Sequence, residues 1–215
     1  MYIPPLFKLA ELGSIHAAIR AARLASLVTA TSEGLIATPL PMILAECEGE
    51  YGTLYGHVAK ANPQWKMLPA GEAMAVFMGP DAYVTPSWYM TKQENGKVVP
   101  TWNYVAVHAY GPVEFFEDVD RLLAIVTRLT NLHEGKREEA WKVSDAPPDF
   151  IASQLRAIVG LRMPITRLDA KSKMSQNRRA DDRAAVVAGL SASADPIDRH
   201  VATMVRDQMR REPAK

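Results

Sequence analysis

The chain has 215 residues, 48% of them hydrophobic and 23% charged, which suits one large or two small globular domains and excludes a disordered, collagenous or disulfide-built chain. Twenty-five Lys and Arg against 24 Asp and Glu leave a formal charge of +1, so no global pull toward nucleic acid or an anionic membrane is expected. The single cysteine, Cys47, cannot bridge within the chain or build a thiolate zinc site, and a reducing cytoplasm is the expected setting. The N-terminus lacks a signal-peptide pattern, and no run approaches the roughly 18 to 20 apolar residues of a membrane span.

In chain order, Leu12, Ile15, Ala18 and Ile19 fall at helical spacing and predict a helix over Glu11–Ala22, with Ser14 near its cap. Leu24–Thr31 reads as a strand ending at the Ser32-Glu33-Gly34 turn. Leu35–Ala45 is apolar but carries Pro39 and Pro41, so this strand is bent or lies on an edge. Gly52–Val58 is the third strand. Asn62 and Pro63 then read as the cap and first residue of a helix. Ala73–Met78 is a strand that should stop at Gly79-Pro80-Asp81, and Tyr83–Tyr89 is another. Glu94-Asn95-Gly96-Lys97 signals a hairpin turn before a long strand, Val98–Phe116. There Trp102, Tyr104, Ala106, His108 and Tyr110 should face one way, and Val105, Val107 and Ala109 the other.

Helices follow at Val119–Leu132 and Asp149–Val159, then a strand from Leu161 to Lys171 and two helices, Asp181–Leu190 and Pro196–Arg211. The expected fold class is α+β, a six- or seven-stranded, mainly antiparallel barrel with peripheral helices and a C-terminal helical segment. Residues 1–175 would form the barrel domain, and 176–215 a helical extension packed on it. Residues 165–215 hold 11 basic and 7 acidic side chains, a local +4 centred on Lys171–Arg179.

Three stretches could carry chemistry. Where the Gly52–Val58 strand runs out through Ala59 and Lys60 to Asn62, backbone N–H groups, a helix start and one ammonium could converge on a phosphate. The alternative is a plain capped helix with a solvated lysine. The aromatic clusters Pro86–Tyr89 and Val99–His108 could stack on a planar ring, or could pack a core or subunit interface. The Lys171–Arg179 stretch could grip a cofactor phosphate or a DNA backbone, or be a solvated turn. His57 and His108 lie on strands and each reads more simply as structural; no His-x-x-His or carboxylate cluster points to a metal. Ala185, Gly189, Leu190 and Ser191 match the start of a helix-turn-helix, but Asp195, Pro196 and Asp198 fall where a recognition helix should be apolar and continuous, which argues against direct DNA reading.

Gly52–Trp65, Gly79–Tyr89, Val98–Gly111 and Lys173–Arg178 closely resemble blocks of the PaiB family, as do Met1–Lys8 and Asp145–Phe150, so the likeness spans nearly the whole chain. Members are described as FMN-binding negative transcriptional regulators. The family resembles the split barrel of pyridoxamine-phosphate-oxidase-like flavoproteins, typically homodimers with FMN between subunits. The resemblance implies Ala59 and Lys60 at the FMN phosphate, and His57, Asn62, Trp88, Trp102, Asn103 and Gln176 as cleft residues. It leaves open an FMN-dependent oxidoreductase or a haem-handling enzyme of the same fold. Two departures stand out: Met90 replaces a proline common in relatives, and Ser172 an aromatic residue, which would open a cavity or alter an aromatic wall.

Overall fold

The computed structural model describes residues 1–67 and 69–211. Its contacts divide the chain into two units. Unit 1 gathers Met1–Ala18, Met78–Val107 and the described residues from Asp169 on; unit 2 gathers Ile19–Phe77 and His108–Leu168. Helix α1 (Leu12–Ala21) passes from the first to the second.

Unit 2 begins with β1 (Ala25–Thr31) and β2 (Gly34–Leu40), an antiparallel hairpin in register from Ala25↔Leu40 to Thr31↔Gly34. Its turn is closed by Gly34 at φ 118°, which a side chain would strain. Alternation buries Ala25, Leu27 and Thr29. The other edge of β1 pairs with β5 (Ala73–Val84), Ala25↔Phe77 through Val28↔Met74. Gln64 is fully buried beneath this hairpin, where its amide donates to the Leu27 carbonyl and the Thr29 hydroxyl, both at 3.1 Å.

The second sheet of the unit orders β3 (Ile43–Ala45), β4 (Thr53–Ala59), β8 (Ile158–Pro164) and β7 (Glu114–Phe116), with every neighbouring pair antiparallel. Register aligns Tyr55, Arg162 and Glu114 in one row and His57, Gly160 and Phe116 in the next. Helices α3 (Val119–Glu134) and α4 (Pro148–Arg156) close a core of Phe116, Leu122, Ile125, Leu129 and Leu155. Five such side chains stabilise this core by about 1.5–3 kcal/mol each relative to exposure. The start of α3 is fixed by Asp118, whose carboxylate accepts the Arg121 N–H at 2.8 Å.

In unit 1 the end of β5 neighbours β6 (Thr101–Gly111), which neighbours β9 (Arg167–Lys173). The short helix α2 (Thr91–Asn95) is tied down by Asp182, which accepts the Thr91 N–H at 3.0 Å and its hydroxyl at 2.6 Å. Helices α5 (Ala180–Ser191) and α6 (Pro196–Arg211) join Val84, Tyr89, Val105 and Met174 around Val186, Leu190, Val201 and Val205. The amino terminus is anchored by an ion pair from Met1 to Asp169 at 2.6 Å.

The mixed α+β class and the C-terminal helices match the expectation; residues 212–215 of the expected extension lie outside the described residues. The strand count does not match: nine strands are present among the described residues, not six or seven. Leu35–Ala45, Val98–Phe116 and Leu161–Lys171 each break into two, at Pro41, Pro112 and just past Pro164. A proline cannot donate to a ladder, and at each break the chain leaves one sheet for the other. Conversely, β5 runs straight through Gly79-Pro80-Asp81. A Cβ on Gly79 would lie 2.9 Å from that of Val105, so this glycine serves a close approach of strands rather than a turn. The Asn95-Gly96 hairpin signal is the C-cap of α2, with Gly96 left-handed at φ 67°. The helix start at Asn62 extends only one 3-10 turn, Pro63–Lys66.

Candidate functional site

The residues of the Gly52–Pro63 stretch lie in unit 2. Odd-numbered residues of β4 share one side, so Tyr55, His57 and Ala59 point together while Leu54 and Val58 are buried. His57 lines a cavity of about 280 Å³ with Pro41, Leu129, Thr130, His133 and Trp141. Its Nδ1 is buried and has no hydrogen-bond partner among the described residues, and burial lowers the pKa of the ring. The unfolded chain therefore binds a proton that the buried ring refuses. This contribution to stability is complete above an unfolded pKa of about 6.5 and is lost as pH falls below it. His57→Gln should flatten the fall in stability between pH 7.5 and 5, measured by urea unfolding. An unchanged pH slope would show that the ring is not held neutral.

Ala59 is exposed at the end of β4, and the Lys60 ammonium sits 2.5 Å from the Glu117 carboxylate, both side chains about half exposed. The backbone of this loop is largely committed: the Lys60 N–H donates to Ala157 at 2.8 Å and the Asn62 N–H to Ala59 at 2.9 Å. The expectation of free N–H groups is thus not met at these positions, and the cation is what the loop offers an anion. Asn62 has both ends of its amide engaged, its Oδ1 accepting the Gln64 N–H and its Nδ2 donating to the Thr38 hydroxyl, both at 2.9 Å. The indole of Trp65 donates to the Lys60 carbonyl at 2.9 Å and fixes the loop.

Trp88, Trp102, Asn103 and Gln176 lie in unit 1. Trp88 packs so tightly on α5 that a Cβ at Gly189 would lie 2.3 Å from its ring. Asn103 is fully buried and exchanges hydrogen bonds with the Ser175 hydroxyl at 3.0 and 3.1 Å. Ser175 is the one non-glycine residue at positive φ among those described, 60°. Gln176 brackets the same turn, its Oε1 accepting the Met174 N–H at 2.6 Å and its Nε2 donating to Ser172 at 2.7 Å. Asn103 and Gln176 thus spend these hydrogen bonds on building the turn. Trp102 alone of the four is exposed, with its ring edge-on to Tyr83 at 5.8 Å between centroids.

Two groups escaped the sequence. Arg121, Arg128 and Arg162 line a cavity of about 310 Å³ with Tyr55 and Phe116 in unit 2. Arg162 donates to the Tyr55 hydroxyl at 3.2 Å across 107 residues of chain, and no spacing signals that meeting. In unit 1, Tyr83 of β5 meets Trp102 of β6 edge-on, while the lysines of β9 reach Tyr104 and the Trp102 carbonyl from the other side of that strand; the basic stretch was legible, the Tyr83–Trp102 contact was not. No group of three His, Cys, Asp or Glu among the described residues could hold a metal. Among them too, no helix is long and apolar enough to cross a membrane.

With this geometry in place, a family model described as "Putative FMN-binding domain" matches residues 1–167. Over 213 residues the chain is 32% identical to the Bacillus subtilis "Protease synthase and sporulation protein PAI 2", covering 99% of this chain and 100% of that one. Among solved structures it is similar to the flavocytochrome Anf3 from Azotobacter vinelandii, at TM-score 0.57 and 15% identity, covering 81% of this chain and 73% of that one. It is also similar to an FAD and haem binding protein from Mycobacterium smegmatis, at TM-score 0.55 and 16% identity, covering 80% and 77%. These likenesses show a shared fold and bear out the split-barrel expectation.

Proposed function

The chain belongs to the family described as "Putative FMN-binding domain", and from that membership we propose that it binds FMN, as a homodimer, through the residues around Lys60. The observation that carries this reading is the end of β4. A half-exposed ammonium, an exposed small side chain at Ala59 and an orphaned buried ring nitrogen at His57 lie within four residues on one strand and its exit. This donor set fits a ligand with an anionic tail and a hydrogen-bonding ring. Lys60 would hold the phosphate, and His57 would bond the ring system. When bound, the flavin supplies reversible hydride and electron chemistry.

We assign the protein a regulatory role in the cytoplasm, exercised through its small-molecule ligand rather than by direct reading of DNA. In support, Gly189 backs onto Trp88, and Val186, Leu190, Val201 and Val205 are buried in the unit 1 core, so α5 and α6 serve packing. A second reading, an FMN-dependent oxidoreductase or haem-handling enzyme, draws support from the flavin- and haem-binding names of the structural neighbours. Titration calorimetry of the purified chain with FMN tests the first reading, beside absorbance of any flavin carried through purification. Saturable FMN binding is expected; no heat and no carried flavin would defeat it. Sustained turnover of NAD(P)H with an acceptor would favour the second.

A further inference from the structure

Arg121, Arg128 and Arg162 of unit 2 close with Tyr55 and Phe116 on a cavity of about 310 Å³. Antiparallel register sets Tyr55 of β4, Arg162 of β8 and Glu114 of β7 side by side, so their side chains leave the sheet on one face. Helix α3 packs over that face, where Tyr55 and Phe116 meet Leu122 and Ile125 in one core. Arg121 and Arg128 are seven residues apart, hence on one side of the helix, and Ala124 and Ile125 line the cavity between them.

The two ends of the cavity differ in charge. Arg121 lies over the Phe116 ring at 3.6 Å and donates to Glu114 at 2.8 Å, and Asp118 adds its negative charge. That end is balanced. At the other end, Arg128 lies over the Tyr55 ring at 5.4 Å and makes no hydrogen bond or ion pair through its guanidinium with any described residue. Arg162 donates its Nε to the Tyr55 hydroxyl at 3.2 Å, and its two terminal nitrogens have no acceptor among the described residues. Burial first, then the hydrogen bond to Glu48, raises the pKa of Tyr55, so the hydroxyl keeps its proton and donates to Glu48 at 2.5 Å. Two guanidinium groups thus stand against one carboxylate, itself engaged by the tyrosine. A charge of +1 and unused in-plane N–H donors remain.

We propose that this cavity binds a small aliphatic monocarboxylate, with its carboxylate between Arg128 and Arg162 and its hydrocarbon part against Ala124, Ile125 and Phe116. One negative charge neutralises the Tyr55 end, whereas a phosphate dianion would leave an excess. The planar guanidinium fork matches a carboxylate with two parallel hydrogen bonds. The volume is at the small end of the range of about 300–1,000 Å³ for ligand pockets, so the hydrocarbon part is short. Tyr55 lies four residues before Ala59, about 13 Å along β4, and the cavity shares no lining residue with the Lys60 loop.

The test uses the full chain freed of flavin, with isovalerate as the anionic probe and uncharged isovaleramide as its control. Calorimetry should show the carboxylate binding about tenfold or more tightly than the amide, as one charge-assisted pair implies. Arg128→Gln should abolish most of that preference; the site is an exposed helix position and Gln is a good helix former, so the urea midpoint should hold. Glu114→Gln should instead tighten isovalerate binding, because it frees a third guanidinium, a gain that a purely structural ion pair would not produce. Ala124→Leu should weaken both probes by filling the cavity, and Lys60→Ala should weaken neither. Equal binding of the two probes, no binding of either, or an unchanged preference in Arg128→Gln would overturn the site. So would inorganic phosphate displacing isovalerate at a lower concentration than isovalerate itself needs, or loss of isovalerate binding in Lys60→Ala. No arm contains FMN, so failure of the flavin to bind leaves each of these outcomes readable.

Discussion

Replacing Lys60 with alanine is expected to weaken FMN binding about 10- to 150-fold while leaving riboflavin binding unchanged. The two ligands differ by the phosphate, and a hydrogen bond to a charged group contributes about 1.5–3 kcal/mol. The Glu117 carboxylate now holds the ammonium, but both partners are about half exposed. An ion pair so solvated contributes about 0–1 kcal/mol, so a phosphate dianion displaces it at little cost. Fluorescence quenching of each flavin by wild type and variant measures the effect. An equal loss for riboflavin would mean that Lys60 acts on the shape of the loop and not on the phosphate.

The largest stability effect is expected at Gly111. This residue ends β6, and a Cβ there would lie 1.9 Å from the Pro164 carbonyl oxygen and 3.0 Å from its carbon. The obstacle is backbone, so no rotamer change relieves it. The approach is also pinned next door, where the Thr166 N–H donates to the Tyr110 carbonyl at 2.8 Å. Gly111→Ala must therefore move a strand end, with an expected loss of about 3 kcal/mol or more, at or above the upper range for overpacking. Urea unfolding should show a lower midpoint at an unchanged slope. A loss under about 0.5 kcal/mol, the range of innocuous surface changes, would mean that β6 and the Pro164 carbonyl are not so close.

Much of the fold was legible where a local rule dominates. Asn62 caps its neighbour as read, because a short amide before proline has few better uses. The alternation of β6 was legible too: Val105, Val107 and Ala109 are buried, while Trp102, Tyr104, His108 and Tyr110 are more exposed. The exception on that strand is Ala106, buried with the aliphatic set although it alternates with the aromatics. A change of sheet was not legible. A period of two marks a strand but names no partner, so Val98–Phe116 reads as continuous although β6 and β7 belong to different sheets.

The site was legible in a similar measure. Asn103 and Gln176 stand in the sequence as cleft residues by resemblance, yet a sequence does not say how a side chain spends its hydrogen bonds. Asn103 spends two on Ser175, 72 residues away, and Gln176 turns back on residues 172 and 174. The Lys60 cation could be read because its strand, loop and cap are contiguous. The Tyr83–Trp102 contact and the arginine cavity could not, because they are assembled from elements far apart in the chain.

A native mass spectrum of the full chain after incubation with excess FMN tests the central claim most directly, since subunit number and retained cofactor are read together. A dimer carrying one FMN per chain is the expected result. A monomer, or a dimer that retains no flavin under conditions where the protein stays folded, would contradict it.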